Sequence, residues 1–469
     1  MLYHLFTYID AVWDLPGARL FQYISFRAAM SLITSLIIGI VFGKRIIEWL
    51  QMQQVGEIVR DLGLEGQMNK QGTPTMGGLI ILAAILIPTL LFADLTNIYT
   101  QMMLLVTVWL GAIGFIDDYI KVFKKNKEGL AGRFKIIGQV GVGIIVGSIM
   151  WWHPDVTIKD PADREFLGEV VEMTAMDGTK FEVFEADRGL PIWEAKKSSE
   201  TTVPFMKDNS FDYDRLVSWI GPAAEGWGWL VFIPLVILIV TAVSNGANLT
   251  DGIDGLAGGY GLVAMSAFGM WAHWTGDVTS SIVAAAMVGG LAGFLVFNLH
   301  PAKIFMGDSG SLLLGYMCYV MAVSVVQTPD HNTLPGVVRP IAAMCFLAYP
   351  LVDTLRVFTI RVLLRRSPFS PDRRHIHHLL MKLGWGHRLS SSALWMYTLL
   401  FVVLALKPNA FWAGLSVTEQ FLVLLGLAFA VASVPYLLVR TGVGQSSLSQ
   451  EGFEENDESN APQGPRRVA

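Results

Sequence analysis

Long apolar runs separated by short polar breaks recur along this chain, at a length that matches a bilayer. A helix needs roughly 20 apolar residues to cross a hydrocarbon core, and comparable segments run Phe21–Phe42, Thr75–Phe92, Ile98–Phe115, Ile136–Trp152, Trp227–Val243, Leu256–Trp274, Ser281–Phe297, Ser309–Val326, Val337–Phe358, Ser391–Leu406 and Gln420–Val439. Because lipid leaves no backbone polar group a water partner, these runs predict helices. The expected fold is an all-α integral membrane protein, a polytopic bundle of about eleven transmembrane helices. Composition agrees, since 469 residues with 53% apolar and only 16% charged side chains are too apolar for an ordinary soluble enzyme.

The pattern divides the chain into residues 1–152 with helices one to four, an insert at 153–225, helices five to eleven at 226–440, and a tail at 441–469. The tail is rich in Ser, Glu, Asn, Gly and Pro and is expected to be disordered. Within the insert, alternation over Thr179–Glu185 after Asp177-Gly178 suggests a small β-hairpin. The stretch before the first span has no signal-peptide pattern and carries Asp10 and Asp14, so that span is expected to be retained.

Lys and Arg resist translocation, and they crowd the loops after helices one, three and nine: Lys44, Arg45, Arg60 and Lys70; Lys121, Arg133 and Lys135; Arg361 through Arg388. The loops around Ala93, Thr275 and Pro329 hold none. This asymmetry puts the amino terminus outside, the carboxyl terminus inside and the insert on the exoplasmic side. The net charge of −5 adds little, and Cys318 and Cys345 fall singly within spans, where they read as packing residues. No basic aromatic surface points to nucleic acid.

Three polar breaks carry aspartates, all expected on the cytoplasmic face. The first holds Asp117 and Asp118 at the inner end of helix three. Adjacent carboxylates there repel and pay desolvation, so a cation or proton between them is favoured, although a solvated helix end accounts for them equally well. The second, Asn245 to Gly259, packs Asn, Asp and Gly densely; Asp251 and Asp254 would share one face if it is helical. It lacks the ligand spacing of a calcium loop. The third, Asn298 to Ser311, ends with Asp308 at a helix N-terminus, where it could be a simple cap or sit beside a bound phosphate. Carboxylates gathered with Lys and Arg suit a magnesium-bound diphosphate. The last loop adds His375, His377 and His378, able to meet phosphate, relay protons or lie on anionic lipid. A transporter would place its carboxylates near the bilayer midplane instead.

These motifs resemble the polyprenyl-phosphate N-acetylhexosamine-1-phosphate transferase family, through Lys70 to Gly78 (KQGTPTMGG), Gly114 to Lys121 (GFIDDYIK), Asn245 to Ala257 (NGANLTDGIDGLA) and Phe305 to Ser311 (FMGDSGS). The resemblance implies a Mg2+-dependent enzyme of a bacterial plasma membrane that moves a sugar 1-phosphate from a UDP-linked N-acetylated donor to undecaprenyl phosphate, releasing UMP. By similarity Asp308 would be the principal metal ligand, Asp117 the group that deprotonates or positions the lipid phosphate, and Asp118 a support to both. Asp251 and Asp254 would line the nucleotide pocket with Lys70, Asn248 and Asn298, and Phe305 would stack on uracil. Lys135 and Thr75 would steady phosphates, and His375, His377 and His378 would complete the substrate and catalytic set. A homodimer is a further, open expectation.

Within the family two branches compete. Roughly the first 330 residues resemble the branch that transfers phospho-N-acetylmuramoyl-pentapeptide to give lipid I in peptidoglycan synthesis. The segment with Asp353, Arg356, Ser367-Pro368-Phe369 and His375-Ile376-His377-His378-Leu379 resembles the branch that transfers N-acetylglucosamine 1-phosphate, and the eleventh helix fits it too. The longer resemblance makes the muramoyl-pentapeptide reading the expected one.

Overall fold

The computed structural model describes the chain except residues 53–72, 125, 127–128, 162–170, 175–179, 184–192, 197–198, 203–209, 219–220, 222–225, 328–337, 366–373, 407–413 and 443–469. The helices are α1 (Leu2–Trp13), α2 (Ile24–Met52), α3 (Gly78–Phe92), α4 (Ile98–Phe123), α5 (Gly132–Trp152), α6 (Tyr213–Val217), α7 (Trp229–Thr250), α8 (Leu256–Thr275), α9 (Val278–Asn298), α10 (Gly307–Gln327), α11 (Arg339–Phe346), α12 (Ala348–Leu363), α13 (Ile376–Lys382), α14 (His387–Leu406) and α15 (Val417–Arg440). Every one of the eleven expected segments falls on a helix or a helix pair.

Burial sorts these helices into centre and rim. The apolar window of α9 is 78% buried and that of α10 67%, whereas α7 and α2 bury only 22% and 28%. Small residues build the centre: α8 buries Ala257, Gly258, Gly259, Gly261 and Ala264, which lets neighbouring backbones approach closely where lipid gives no hydrophobic drive to association. The contact of α2 with α9 is also pinned by hydroxyls, Ser31 Oγ donating to the Ile282 carbonyl at 3.0 Å and Ser35 Oγ to that of Ala286 at 2.6 Å. Rim helices instead turn Ile33, Ile37, Leu238, Leu422 and Leu437 outward, as a lipid solvent requires. Among the described residues, eight helices are long and apolar enough to span a membrane, and the bent pair α11–α12 makes a ninth if it counts as one span. The protein is a multi-pass membrane protein.

Three expectations change in detail. The predicted ninth span, Val337–Phe358, is not one helix: α11 and α12 meet at Leu347 with an 81° bend. Pro350, in the first turn of α12, has no N–H to give the carbonyl four residues earlier, and the ladder breaks there. The first aspartate break is not a break at all, because α4 continues through Asp117 and Asp118 to Phe123. The insert contains its expected hairpin, Val171–Thr174 (β2) antiparallel to Lys180–Val183 (β3). It also holds two further ladders, β1 (Ile158–Pro161) with β4 (Trp193–Lys196) and β5 (Glu200–Thr202) with β6 (Ser210–Asp212). The tail from residue 443 lies outside the described residues.

Candidate active site

The carboxyl-terminal end of α4 and the start of α10 bring three aspartates together. Neighbours on a helix point about 100° apart, so Asp117 and Asp118 reach different partners. Asp117 is fully buried; it accepts the Leu130 N–H at 2.8 Å and lies 2.5 Å from Lys121 Nζ and 2.9 Å from Lys135 Nζ. Asp118 faces α10 and accepts the N–H groups of Asp308 at 3.2 Å and Ser309 at 3.3 Å, with the Ser309 hydroxyl at 2.8 Å. A carboxylate from one helix thus caps another, where the backbone dipole favours it.

That capping leaves the Asp308 carboxylate free of the role a local cap would give it. It accepts from Lys135 Nζ at 2.5 Å, Lys121 Nζ at 3.4 Å and Asn248 Nδ2 at 3.1 Å, while Asn248 also donates to Ser311 Oγ at 2.8 Å. Gly307 makes the approach possible. Its φ is +75°, and a Cβ would sit 2.6 Å from Asp118 Oδ2, so any other residue is strained and crowded at once.

The cluster therefore holds three carboxylates against two ammonium groups, and one oxygen from each carboxylate lies within 4.8 Å of the others. An all-oxygen donor set suits a hard divalent cation such as Mg2+. Asp117 and Asp308 fit it best, because Lys121 and Lys135 already bridge them by charge alone and on flexible stems can swing onto phosphate oxygens. Asp118, engaged with the α10 amides, braces the site from behind.

The histidine loop forms a second network. Asp353 on α12 is buried and bonds His375 Nδ1 at 2.9 Å, the Ile376 N–H at 3.0 Å and Arg356 Nη2 at 3.1 Å; Arg356 also donates to the Arg374 carbonyl. His377 is buried, 3.3 Å from the Tyr349 hydroxyl, with its ring 4.2 Å from that of His378. Burial, with His378 adding to it, holds the His377 imidazole well below its usual range, so it stays neutral near pH 7. A Cβ on Gly252 would strike the His377 ring, so glycine is what lets the loop after α7 rest on this network.

Asp251 and Asp254 do not share a helical face. Helix α7 ends at Asp251 and α8 starts at Leu256, and the turn between them sends Asp254 inward to His300 Nδ1 at 2.7 Å and the Ala302 N–H at 3.2 Å. Asn298, expected at the nucleotide, spends its amide on the backbone: Oδ1 accepts the Gly255 N–H at 3.0 Å and Nδ2 donates to the Ile304 carbonyl at 2.8 Å. Thr75 is buried, and Phe305 is half-buried where its N–H bonds the Pro74 carbonyl at 2.9 Å. Lys70 lies outside the described residues.

So the fold unites Asp117, Asp118, Lys135, Asn248 and Asp308, keeps His375, His377 and His378 on a neighbouring loop, and gives Asp254 and Asn298 bonds of their own. Sequence reasoning counted Lys121 as a topology marker, although its i, i+4 spacing from Asp117 was a readable signal. It missed Ser309, His300 and His387, which carry no local signal and are joined only by the fold.

Comparison with known proteins gives the family. Residues 203–326 match glycosyl transferase family 4, and residues 70–82 match signature 1 of phospho-N-acetylmuramoyl-pentapeptide-transferase. The chain is 43% identical over 427 residues to the phospho-N-acetylmuramoyl-pentapeptide-transferase of Flavobacterium psychrophilum, covering 87% of this chain and 98% of that one. It is 49% identical over 401 residues to the same-named protein of Parabacteroides distasonis, covering 82% and 90%. Against that of Flavobacterium johnsoniae it is 41% identical over 426 residues, covering 87% and 98%. With an aspartate and lysine cluster at the meeting of α4 and α10, and relatives this similar along most of their length, the chain belongs to the phospho-N-acetylmuramoyl-pentapeptide-transferase family of membrane phosphotransferases.

Proposed function

We propose that the protein transfers phospho-N-acetylmuramoyl-pentapeptide from its UDP-linked donor to undecaprenyl phosphate, with Mg2+, at the cytoplasmic face of a bacterial plasma membrane, releasing UMP and leaving lipid I for peptidoglycan synthesis. The observation that carries this reading is the pairing of Asp117 with Asp308 through Lys121 and Lys135, beside Asn248. An acceptor phosphate attacking a diphosphate brings two anions together, so charge screening and alignment form most of the catalytic task. A hard cation held by Asp308 and Asp117 would neutralise diphosphate charge there. Lys121 and Lys135 turn from the carboxylates to phosphate oxygens as substrates enter. A lipid phosphate is largely ionised near neutral pH, so Asp117 orients the acceptor more than it removes a proton. Asp118 keeps the α10 N-terminus, and with it Asp308, in place.

A second reading, transfer of N-acetylglucosamine 1-phosphate, draws on Asp353, Arg356 and His375, which form one buried network in the segment resembling that branch. Purified protein given undecaprenyl phosphate, Mg2+ and each UDP-sugar in turn decides between them. Product from the muramoyl-pentapeptide donor is expected; product from UDP-N-acetylglucosamine alone would reverse the assignment.

A further inference from the structure

Asp254 is bonded through its carboxylate and its backbone alike. Its Oδ2 meets His300 Nδ1 at 2.7 Å and the Ala302 N–H at 3.2 Å, its own N–H donates to His387 Nδ1 at 3.2 Å, and its carbonyl accepts the Ser391 hydroxyl at 2.8 Å. The two imidazoles stack at 4.7 Å between centroids and 17° between planes, and Arg388 Nε closes the unit on the His300 carbonyl at 2.8 Å. Three segments far apart in sequence meet here: the turn after α7, the loop before α10 and the first turn of α14.

The partners fix how each ring is used. His300 Nδ1 faces a carboxylate and must donate, whereas His387 Nδ1 receives an amide proton and must accept. His300 and His387 each spend Nδ1 on Asp254, so the three residues form one hydrogen-bonded unit that ties the loop before α10 and the first turn of α14 to the turn after α7. Its effect is to set the direction of the Asp254 carboxylate and the path of the turn that carries it.

We propose that His300 and His387 are positioning residues for donor recognition, acting through Asp254; this rests on the reading of Asp254 as a contact of the donor nucleotide. Neither ring belongs to the aspartate and lysine cluster, so both act on binding of the UDP-linked donor and not on the transfer step.

Steady-state kinetics of the full chain in detergent, with donor and acceptor varied separately, tests this. His387→Ala and His300→Ala should each raise the donor KM about tenfold while kcat and the acceptor KM change by less than about twofold. Asparagine places an amide oxygen or nitrogen near Nδ1, and glutamine near Nε2, so H387N and H300N should restore most of the donor KM while H387Q and H300Q should not. That order holds for whichever variants survive purification, and the reverse order overturns the proposal. So does an equal loss in kcat with the donor KM unmoved, or no change in any variant. Failure of the unaltered protein to turn over any UDP-sugar would instead remove the reading of the donor site, and the proposal with it.

Discussion

Two kinds of acidic centre in this protein use the same side chain with opposite company. Asp117 and Asp308 are matched with the ammonium groups of Lys121 and Lys135 at the ends of long stems, whereas Asp254 and Asp353 are matched with imidazoles that bond them at fixed angles. An ammonium is a point charge on a flexible chain and can be traded for a metal ion or a phosphate at little geometric cost. An imidazole ring gives direction and holds a backbone in place. The first kind is arranged to exchange its counter-ions, and the second to stay as built.

Removing a carboxylate from the exchanging centre should have the largest effect. Asp308→Asn is expected to lower kcat by about 10³-fold with the protein still folded, while Asp118→Asn, whose amide oxygen can still cap α10, should lose much less. Equal losses in a turnover assay would mean that the two carboxylates do the same work and the distinction drawn between them fails. Lys135→Met should come next, with kcat down about 10²-fold and a lower Mg2+ concentration at half-maximal rate, since an ammonium that competes with the metal for Asp117 and Asp308 is gone; an unchanged Mg2+ profile would show that this lysine is structural.

Asp353 should respond in stability before activity. Asp353→Ala strands the buried Arg356 without its partner, a change that costs about 3–5 kcal/mol when a buried pair is broken, and the melting temperature should drop clearly. A drop no larger than that of a surface aspartate variant would place Asp353 outside the framework. The smallest effect concerns pH. His377 is held neutral by the fold, so as pH falls below the ordinary imidazole value of 6.5 the unfolded chain binds a proton that the folded chain refuses, and stability declines with falling pH. In melting curves between pH 7.5 and about 5.5, His377→Gln should flatten that decline, and an identical slope in both proteins would remove His377 as its source.

Much of this was legible in the sequence because a bilayer makes strong demands. Eleven apolar runs announced their helices, and the aspartates stood out since a membrane protein tolerates such groups only where they are paired. Asp308 at a helix start and Asp117 beside Lys121 could be read from local spacing alone. The bend at Leu347 had a local cause in Pro350, yet a mostly apolar stretch from Val337 to Phe358 concealed it. Asp251 and Asp254 misled, because i, i+3 spacing implies a shared face only while the helix continues, and α7 stops at Asp251.

The sequence by itself determined the solvent this protein lives in, the number of apolar segments and which charged residues needed an explanation, because each follows from transfer energies and local periodicity. Only the tertiary structure decided that Asp118 caps α10 and so leaves Asp308 to the lysines, that Asn298 serves the backbone, and that His300 and His387 share Asp254. Those outcomes depend on which hydrogen bonds are satisfied by residues from distant segments, and no spacing along a single helix encodes that.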